Sequence, residues 1–368
     1  MIVHSDCRHY TGYKPCGKRE ACAECPDYAP WSRQILIIKL AAVGDVVRTT
    51  PLLRALKRRD PACRVTWLTD EAALPLLRSN PFIDQLFPFT PEGIQSVYAS
   101  EYDLLLNFEK EPRALGVARL VAAAERKGFA PGRSGMPEAA DADSEYALRL
   151  GLSDELKFRQ NEKTYPRIVF DMAGLPYEGE EYVLELSEAA GRFGREFARR
   201  QGLEGRRVIG LNTGCGSVFK TKRWTVEGFV ELVEALAIDP DVRLALLGGP
   251  LEREFNRAIL DRAAGRLIDA GCENSMEEFL GLIEACEAVV SADSLAMHLA
   301  IGRRKQVVAL LGPTSATEID LFGRGEKIVT DFACAPCYRA ACEKTPTCMA
   351  ALRADAVAAA TRRCLEKR

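Results

Sequence analysis

Four loops of this chain carry residue types suited to binding and transforming anionic or hydroxylated small molecules. The first ends in Gly44-Asp45, directly after the apolar run Ile35, Leu36, Ile37 and Ile38. A carboxylate at such a turn either faces a ligand or caps the helix behind it. The second loop is Asn212-Thr213-Gly214-Cys215-Gly216-Ser217. Gly214 and Gly216 permit close backbone approach, and the hydroxyls of Thr213 and Ser217 can donate to phosphate oxygens. Lys220, Lys222 and Arg223 follow, and a lysine there can meet a diphosphate as a point charge. The third loop holds Asp293 and Ser294, with His298 on the helix behind them; here too a cap and a satisfied buried imidazole are the plain alternative. In the fourth, Gly312-Pro313-Thr314, Thr314 can cap the next helix and offer its hydroxyl to phosphate.

Eight of the 13 cysteines fall into two groups. Cys7, Cys16, Cys22 and Cys25 have the spacing C-x8-C-x5-C-x2-C, with His4 and His9 nearby, and Cys334, Cys337, Cys342 and Cys348 have C-x2-C-x4-C-x5-C. Four thiolates suit a structural zinc ion or an iron–sulfur cluster; free or disulfide-paired cysteines pinning loops are the competing reading. Cys63, Cys272 and Cys286 read as small core residues, and Cys215 is expected on the wall of the ligand site.

These loops need a scaffold, and the alternation of apolar runs supplies one. From residue 34 strands and helices alternate: a strand at 34–39, a helix to about Arg59, strands at 64–68, 83–87 and 102–108. Residues 131–165 are polar and read as a loop leading into a helix. After the acidic patch Glu178–Glu181 a second series begins, with strands at 208–211, 242–247, 287–292 and 306–311. Thr225 and the capping box Ser275-Met276-Glu277-Glu278 mark helix starts. The reading is α/β: two Rossmann-like doubly wound domains whose strand ends face each other across a cleft. The expected division is a Cys-rich appendage over 1–33, a first domain over 34–182, a second over 183–350 and a C-terminal helix over 351–368. The appendage should leave β-sheet one at the end away from the crevice, and the second cysteine group should lie nearer the chemistry.

Bulk properties narrow the partners. A length of 368 residues favours two domains, and the formal net charge of −2 gives no support for nucleic-acid binding. Arg48, Arg54, Lys57, Arg58 and Arg59 make a local basic run that could greet an anionic acceptor or a membrane surface. No segment approaches the roughly 20 apolar residues of a membrane span, and the N-terminus has no apolar signal core. A cytoplasmic location, at most peripheral at the inner face of the cytoplasmic membrane, is expected.

Taken together, ILIIKLAAVGDVVRTTPLLRAL, GLNTGCG with TKRW, LLGG, and ADSLAMHLAIG with VVALLGPT resemble glycosyltransferase family 9, the heptosyltransferase-like enzymes of lipopolysaccharide assembly. The resemblance runs from about residue 34 to 350. It implies a GT-B fold and inverting transfer from a nucleotide-diphosphate sugar, typically ADP-heptose, to a glycolipid acceptor, without a catalytic metal. The family's general base falls on Asp45, in an acceptor-side wall that includes Gly44 and Arg48. Its donor-phosphate lysine falls on Lys222, and its Asp…His pair on Asp293 and His298. Where the family has Gly after Asp-Ser, this chain has Leu295, which puts the heptose assignment in question. A GT-B-type sugar-nucleotide epimerase or hydrolase, or a non-catalytic nucleotide-sugar-binding module, is the alternative function.

Overall fold

The computed structural model describes residues 2–13, 16, 18 and 21–366. Met1, Lys14, Pro15, Gly17, Arg19 and Glu20 of the expected appendage, and Lys367 and Arg368 of the expected C-terminal helix, lie outside the described residues. The first sheet comprises β1 (Gln34–Ile38), β2 (Arg64–Thr69), β3 (Gln85–Pro88), β4 (Tyr102–Asn107), β5 (Ala123–Pro131) and β6 (Pro137–Ala139), in the order β3-β2-β1-β4-β5-β6. Its strands run parallel apart from β6, which returns antiparallel on β5. The second sheet comprises β7 (Arg207–Asn212), β8 (Val242–Leu247), β9 (Ile268–Asp269), β10 (Ala288–Ala292), β11 (Gln306–Leu311) and β12 (Gly325–Val329), all parallel, in the order β12-β11-β10-β7-β8-β9. This is the GT-B arrangement of two Rossmann-like halves.

The apolar runs explain the centre of each sheet. Ile35, Leu36, Ile37 and Ile38 are all buried because helices cover both faces of β1. β10 and β11 are likewise sandwiched, Val290 and Val308 on one face and Val289 and Val307 on the other. Strand order reverses between β1 and β4 and between β7 and β10. A crevice opens at the carboxyl ends of strands at such switch points, so the loops after β1, β4, β7 and β10 must build the site.

Three local expectations change. The helix expected to run on to Arg59 is two, Val43–Thr49 and Pro51–Arg59, because Pro51 has no N–H to continue the ladder and sits well at a new N-terminus. Residues 131–165 are more than a polar loop: they hold the turn of the β5–β6 hairpin and a short helix at Glu145–Leu150 before the helix Tyr165–Met172. No helix starts at Thr314, and β11 runs through turns directly to β12, so Thr314 caps nothing. Thr225 and Ser275 do cap their helices, the latter in a reciprocal box with Glu278. The last helix, Ala354–Glu366, buries Val357, Ala360 and Cys364 against the second sheet. Among the described residues no helix is long and apolar enough to cross a membrane.

Candidate active site

Asp45 is not a helix cap. The helix begins at Val43 after an N-cap Ala42 that makes no side-chain bond, which places Asp45 in the first turn with its carboxylate not engaged in capping. Its side chain is 37% exposed and borders a cavity of about 320 Å³ between the domains. Apolar Phe108, Phe129 and Ile168 share that wall with Lys39, Lys110 and Glu318.

The turn itself is held by a buried ion pair that the sequence reading missed. Lys39 Nζ donates to Glu109 Oε1 at 2.7 Å, and the same oxygen accepts from the backbone N–H groups of Leu40 at 2.8 Å and Ala41 at 3.0 Å. Lys39 Nζ also reaches the carbonyl of Ala41. Burial works against the Lys39 charge, yet Tyr165, Asp45 and Glu109 outweigh it and hold the ammonium above its ordinary pKa. A lysine closing an apolar strand and an acid closing the neighbouring strand were the available signal, because β1 and β4 end side by side at the switch point.

Arg48, one turn after Asp45, is buried rather than offered to solvent. Its Nη2 donates to the carbonyl of Glu318 in the second domain at 2.6 Å, its Nη1 lies 3.5 Å from Asp45 Oδ1, and it stacks 4.1 Å over the Tyr165 ring. The rest of the basic run is largely tied down too. Lys57 pairs with Asp84, and Arg58 with Glu178 and Glu180, while Arg58 and Arg59 remain exposed.

The second domain supplies an opposing cluster. Lys222 Nζ donates to the carbonyl of Asp293 at 3.0 Å and lies 3.4 Å from its Oδ2, while His298 Nε2 is 3.6 Å from Oδ1. Burial alone would raise the Asp293 pKa, but His298 and Lys222 hold it well below the carboxylate range. Burial pushes the His298 imidazole down more than Asp293 lifts it, so the ring is neutral near pH 7. The other ring nitrogen, Nδ1, lies 3.5 Å from the Tyr182 hydroxyl.

The glycine loop after β7 is set by Asn212, whose Nδ2 donates to Gly214 O and to the hydroxyls of Ser291 and Ser294. Gly214, Gly216 and Ser294 border a second cavity of about 250 Å³, with Gly248 and Gly249 on the same edge and Met276 and Phe279 at its apolar end. Leu295 lines it as well. Thr213 turns inward: its hydroxyl bonds Asn256 Oδ1 at 2.5 Å and the Leu247 carbonyl at 3.2 Å. Ser217 stays exposed at the lip, and Cys215 is buried behind the wall it was expected to line. Thr314 is buried in its turn. Cys63 and Cys286 are core residues, but Cys272 is only half-buried and meets Asn256.

The two halves also meet at the Gly44 turn. A Cβ placed on Gly44 would lie 2.9 Å from His298 Cδ2. Asp45 and Arg48 are close enough to bear on the His298 charge, and Arg48 on that of Asp293. Among the described residues no group of three or more His, Cys, Asp or Glu side chains is placed to hold a metal ion. Cys334, Cys337 and Cys342 do lie near Cys348, beside Gly312.

Comparison with known proteins agrees with this fold. Residues 93–347 match the sequence model described as glycosyltransferase family 9 (heptosyltransferase). The lipooligosaccharide heptosyltransferase 2 of Haemophilus influenzae is 24% identical over 309 residues, which is 76% of this chain and 84% of that protein. A glycosyl transferase family 9 structure from Veillonella parvula superposes with a TM-score of 0.73 at 19% identity, over 92% of this chain and 98% of its own. The E. coli ADP-heptose LPS heptosyltransferase II superposes at 0.66 and 21% identity, over 91% and 99%. With a family match that spans most of both domains, this chain belongs to glycosyltransferase family 9 and is a glycosyltransferase of the heptosyltransferase kind.

Proposed function

We propose that the enzyme transfers heptose from ADP-heptose to a hydroxyl of a lipopolysaccharide-type glycolipid, with inversion at the anomeric carbon and no catalytic metal. The observation that carries this reading is the apposition of the Gly44-Asp45 turn to His298, beside the Lys222–Asp293 pair. It sets a carboxylate on one wall against a cation on the other. Asp45 takes the proton of the acceptor hydroxyl as its oxygen attacks the anomeric carbon. The bond from that carbon to the diphosphate breaks on the opposite face, and ADP leaves with the electron pair.

Lys222 stabilises the leaving diphosphate. Two of its contacts go to Asp293, which leaves an ammonium proton for a phosphate oxygen. The glycines 214, 216, 248 and 249 allow the backbone to approach the diphosphate, with Ser294 alongside, and Met276 and Phe279 offer an apolar seat for the base. Thr213 fixes the loop through Asn256, and in this reading Ser217 and Thr314 add hydroxyls to the donor side. Gly44 and Arg48 shape the acceptor wall. The name of the E. coli relative supports ADP-heptose as donor. The glycolipid acceptor would bring the enzyme to the inner face of the cytoplasmic membrane as a peripheral protein.

The test is a product assay with ADP-heptose and a lipid-linked core acceptor, the new linkage being read by NMR. Acceptor-dependent ADP release with an inverted anomer supports the proposal. A retained anomer, or turnover of the donor that needs no acceptor, overturns it. A thermal-shift series with ADP-, GDP-, UDP- and dTDP-sugars checks the donor separately through binding linkage.

A further inference from the structure

Between β12 and the last helix, residues 331–347 form a strap without a strand or helix of its own. It is tied to the second domain by backbone bonds. Cys337 N and Tyr338 N both donate to Pro313 O at 2.9 Å, and Thr221 Oγ1 donates to Arg339 O at 2.6 Å. It is tied to the first domain as well. A single π-helical turn, Leu156–Gln160, faces it, and Arg159 Nη2 donates to Ala333 O at 2.9 Å. Such turns are uncommon and recur at functional sites.

Tyr338 stands at the centre of the strap. Its φ of 48° lies in the left-handed region, which a tyrosine keeps only where its surroundings over-determine it. Ser315 N donates to its hydroxyl at 3.1 Å. Its ring stacks on Phe158 of the first domain, with centroids 5.4 Å apart and planes 5° from parallel, and Lys157 Nζ lies 4.2 Å from its centroid. On another side it meets Phe219 of the second domain edge-on, at 6.1 Å and 87°. Phe219 starts the short turn Lys220–Lys222: Lys222 N donates to Phe219 O at 3.1 Å, and Lys222 Nζ lies 5.6 Å from the Phe219 ring centroid. Phe158, Tyr338, Phe219 and Lys222 thus make one line of contacts from the first domain to the donor side of the second.

We propose that Tyr338 is a positioning residue that braces Phe219 and so holds the Lys222 ammonium where the leaving diphosphate arrives. The inference rests on the diphosphate role given to Lys222 above. A lysine is a point charge on a flexible stem, so its value to a transition state depends on being held in place beforehand. Asp293 holds the tip of Lys222, and the Phe219 turn holds its root. The neighbouring Ser217 and Val218 are exposed, so the strap gives this stretch of loop a support from outside. Because Phe158 and Lys157 belong to the first domain, the brace is complete only when the two domains are together.

The test is calorimetric titration of the full-length protein with ADP and with adenosine. Tyr338→Ala should weaken ADP by about tenfold, the effect of a misplaced charge-assisted contact to phosphate. Adenosine, which lacks the diphosphate, should bind as it does to the unsubstituted protein. Tyr338→Phe keeps the ring and should restore ADP binding. In a Lys222→Ala background, Tyr338→Ala should add no further loss, since both changes remove the same contact. Equal loss of ADP and adenosine overturns the proposal, because it reports general loosening. So do full additivity with Lys222→Ala, ADP binding unchanged in Tyr338→Ala, or Tyr338→Phe as weak as Tyr338→Ala. If Lys222→Ala itself leaves ADP binding intact, the diphosphate role of Lys222 fails and this inference fails with it. Loss in Lys222→Ala without loss in Tyr338→Ala removes the inference alone. Should Tyr338→Ala not fold, Phe219→Leu, which removes the edge-on contact, is read against the same outcomes.

Discussion

Gly44 lies against the imidazole of His298 with no room for a side chain, a Cβ there coming to 2.9 Å of Cδ2. The first residue belongs to the short helix Val43–Thr49 and the second to the helix Leu295–Gly302. His298 is only 4% exposed, and Tyr182 and Asp293 flank its two nitrogens. This packing lies one residue before the proposed base, and it fixes what substitution there must do.

Gly44→Ala should slow the enzyme and lower its unfolding midpoint. In a helix, alanine for glycine ordinarily stabilises by about 0.5–1 kcal/mol. Here the added methyl meets a ring that cannot retreat, so the helix moves and carries Asp45 with it. Displacement of a base by a fraction of an ångström costs on the order of tenfold to a hundredfold in kcat. A raised midpoint with unchanged kcat would show that His298 yields freely.

Asp45→Asn keeps the shape of the turn and removes the base. Loss of kcat by about a hundredfold or more is expected, the usual worth of general-base catalysis. Because Asp45 belongs to the proposed acceptor wall, the stabilisation of the protein by ADP in thermal shift should stay as in the parent. Near-normal turnover would require another base.

The buried imidazole makes stability depend on pH. His298 titrates below its ordinary value in the fold, whereas in the unfolded chain it binds a proton below about pH 6.5. The unfolded state then holds more protons, so stability falls as pH drops below that value. His298→Gln should flatten the midpoint-against-pH curve between about pH 5 and 7, relative to the parent. An identical slope in both proteins would assign the dependence to other groups.

Glu318 points the other way. Burial raises its pKa, and one carboxylate oxygen, Oε1, has no hydrogen-bond partner although the residue is only 8% exposed. A carboxyl raised in the fold contributes stability below its unfolded value, about 4.3, and loses it as pH rises through the folded value. At neutral pH it is therefore a burden, and Glu318→Gln should stabilise by about 1 kcal/mol in denaturant unfolding. The gain should vanish in acid. Because Glu318 borders the cavity beside Asp45 proposed to take the acceptor, KM for the acceptor should rise in the same variant.

What could be read from the chain depended on whether the signal was local. Ile35–Ile38 and the valines of β10 and β11 announce buried strands without help from elsewhere. The same rule fails for β5, whose Glu125, Arg126 and Lys127 look like a loop until Leu104 and Leu105 pair with it on one side. Asp45 was legible as a turn residue, but its freedom from capping depends on the helix starting at Val43. Lys39 and Glu109 were invisible as partners because only the adjacency of β1 and β4 brings them together. Thr213 is the opposite case: its hydroxyl suited a phosphate, and Asn256, far along the chain, claimed it.

The seven-residue helix Val43–Thr49 carries Asp45 near its start and Arg48 near its end. Arg48 is hooked onto the Glu318 carbonyl of the opposite domain, and just beyond the helix the Thr50 hydroxyl accepts from Val183 N at 2.9 Å. A rod this short does not bend, so the tether and the base move as one piece. Any swing that parts the domains must break the Arg48 hook and withdraw the carboxylate in the same stroke. Under the proposed mechanism, water entering an opened enzyme would meet the sugar nucleotide with no base in place, and the Arg48 latch would double as a safety catch against wasteful hydrolysis.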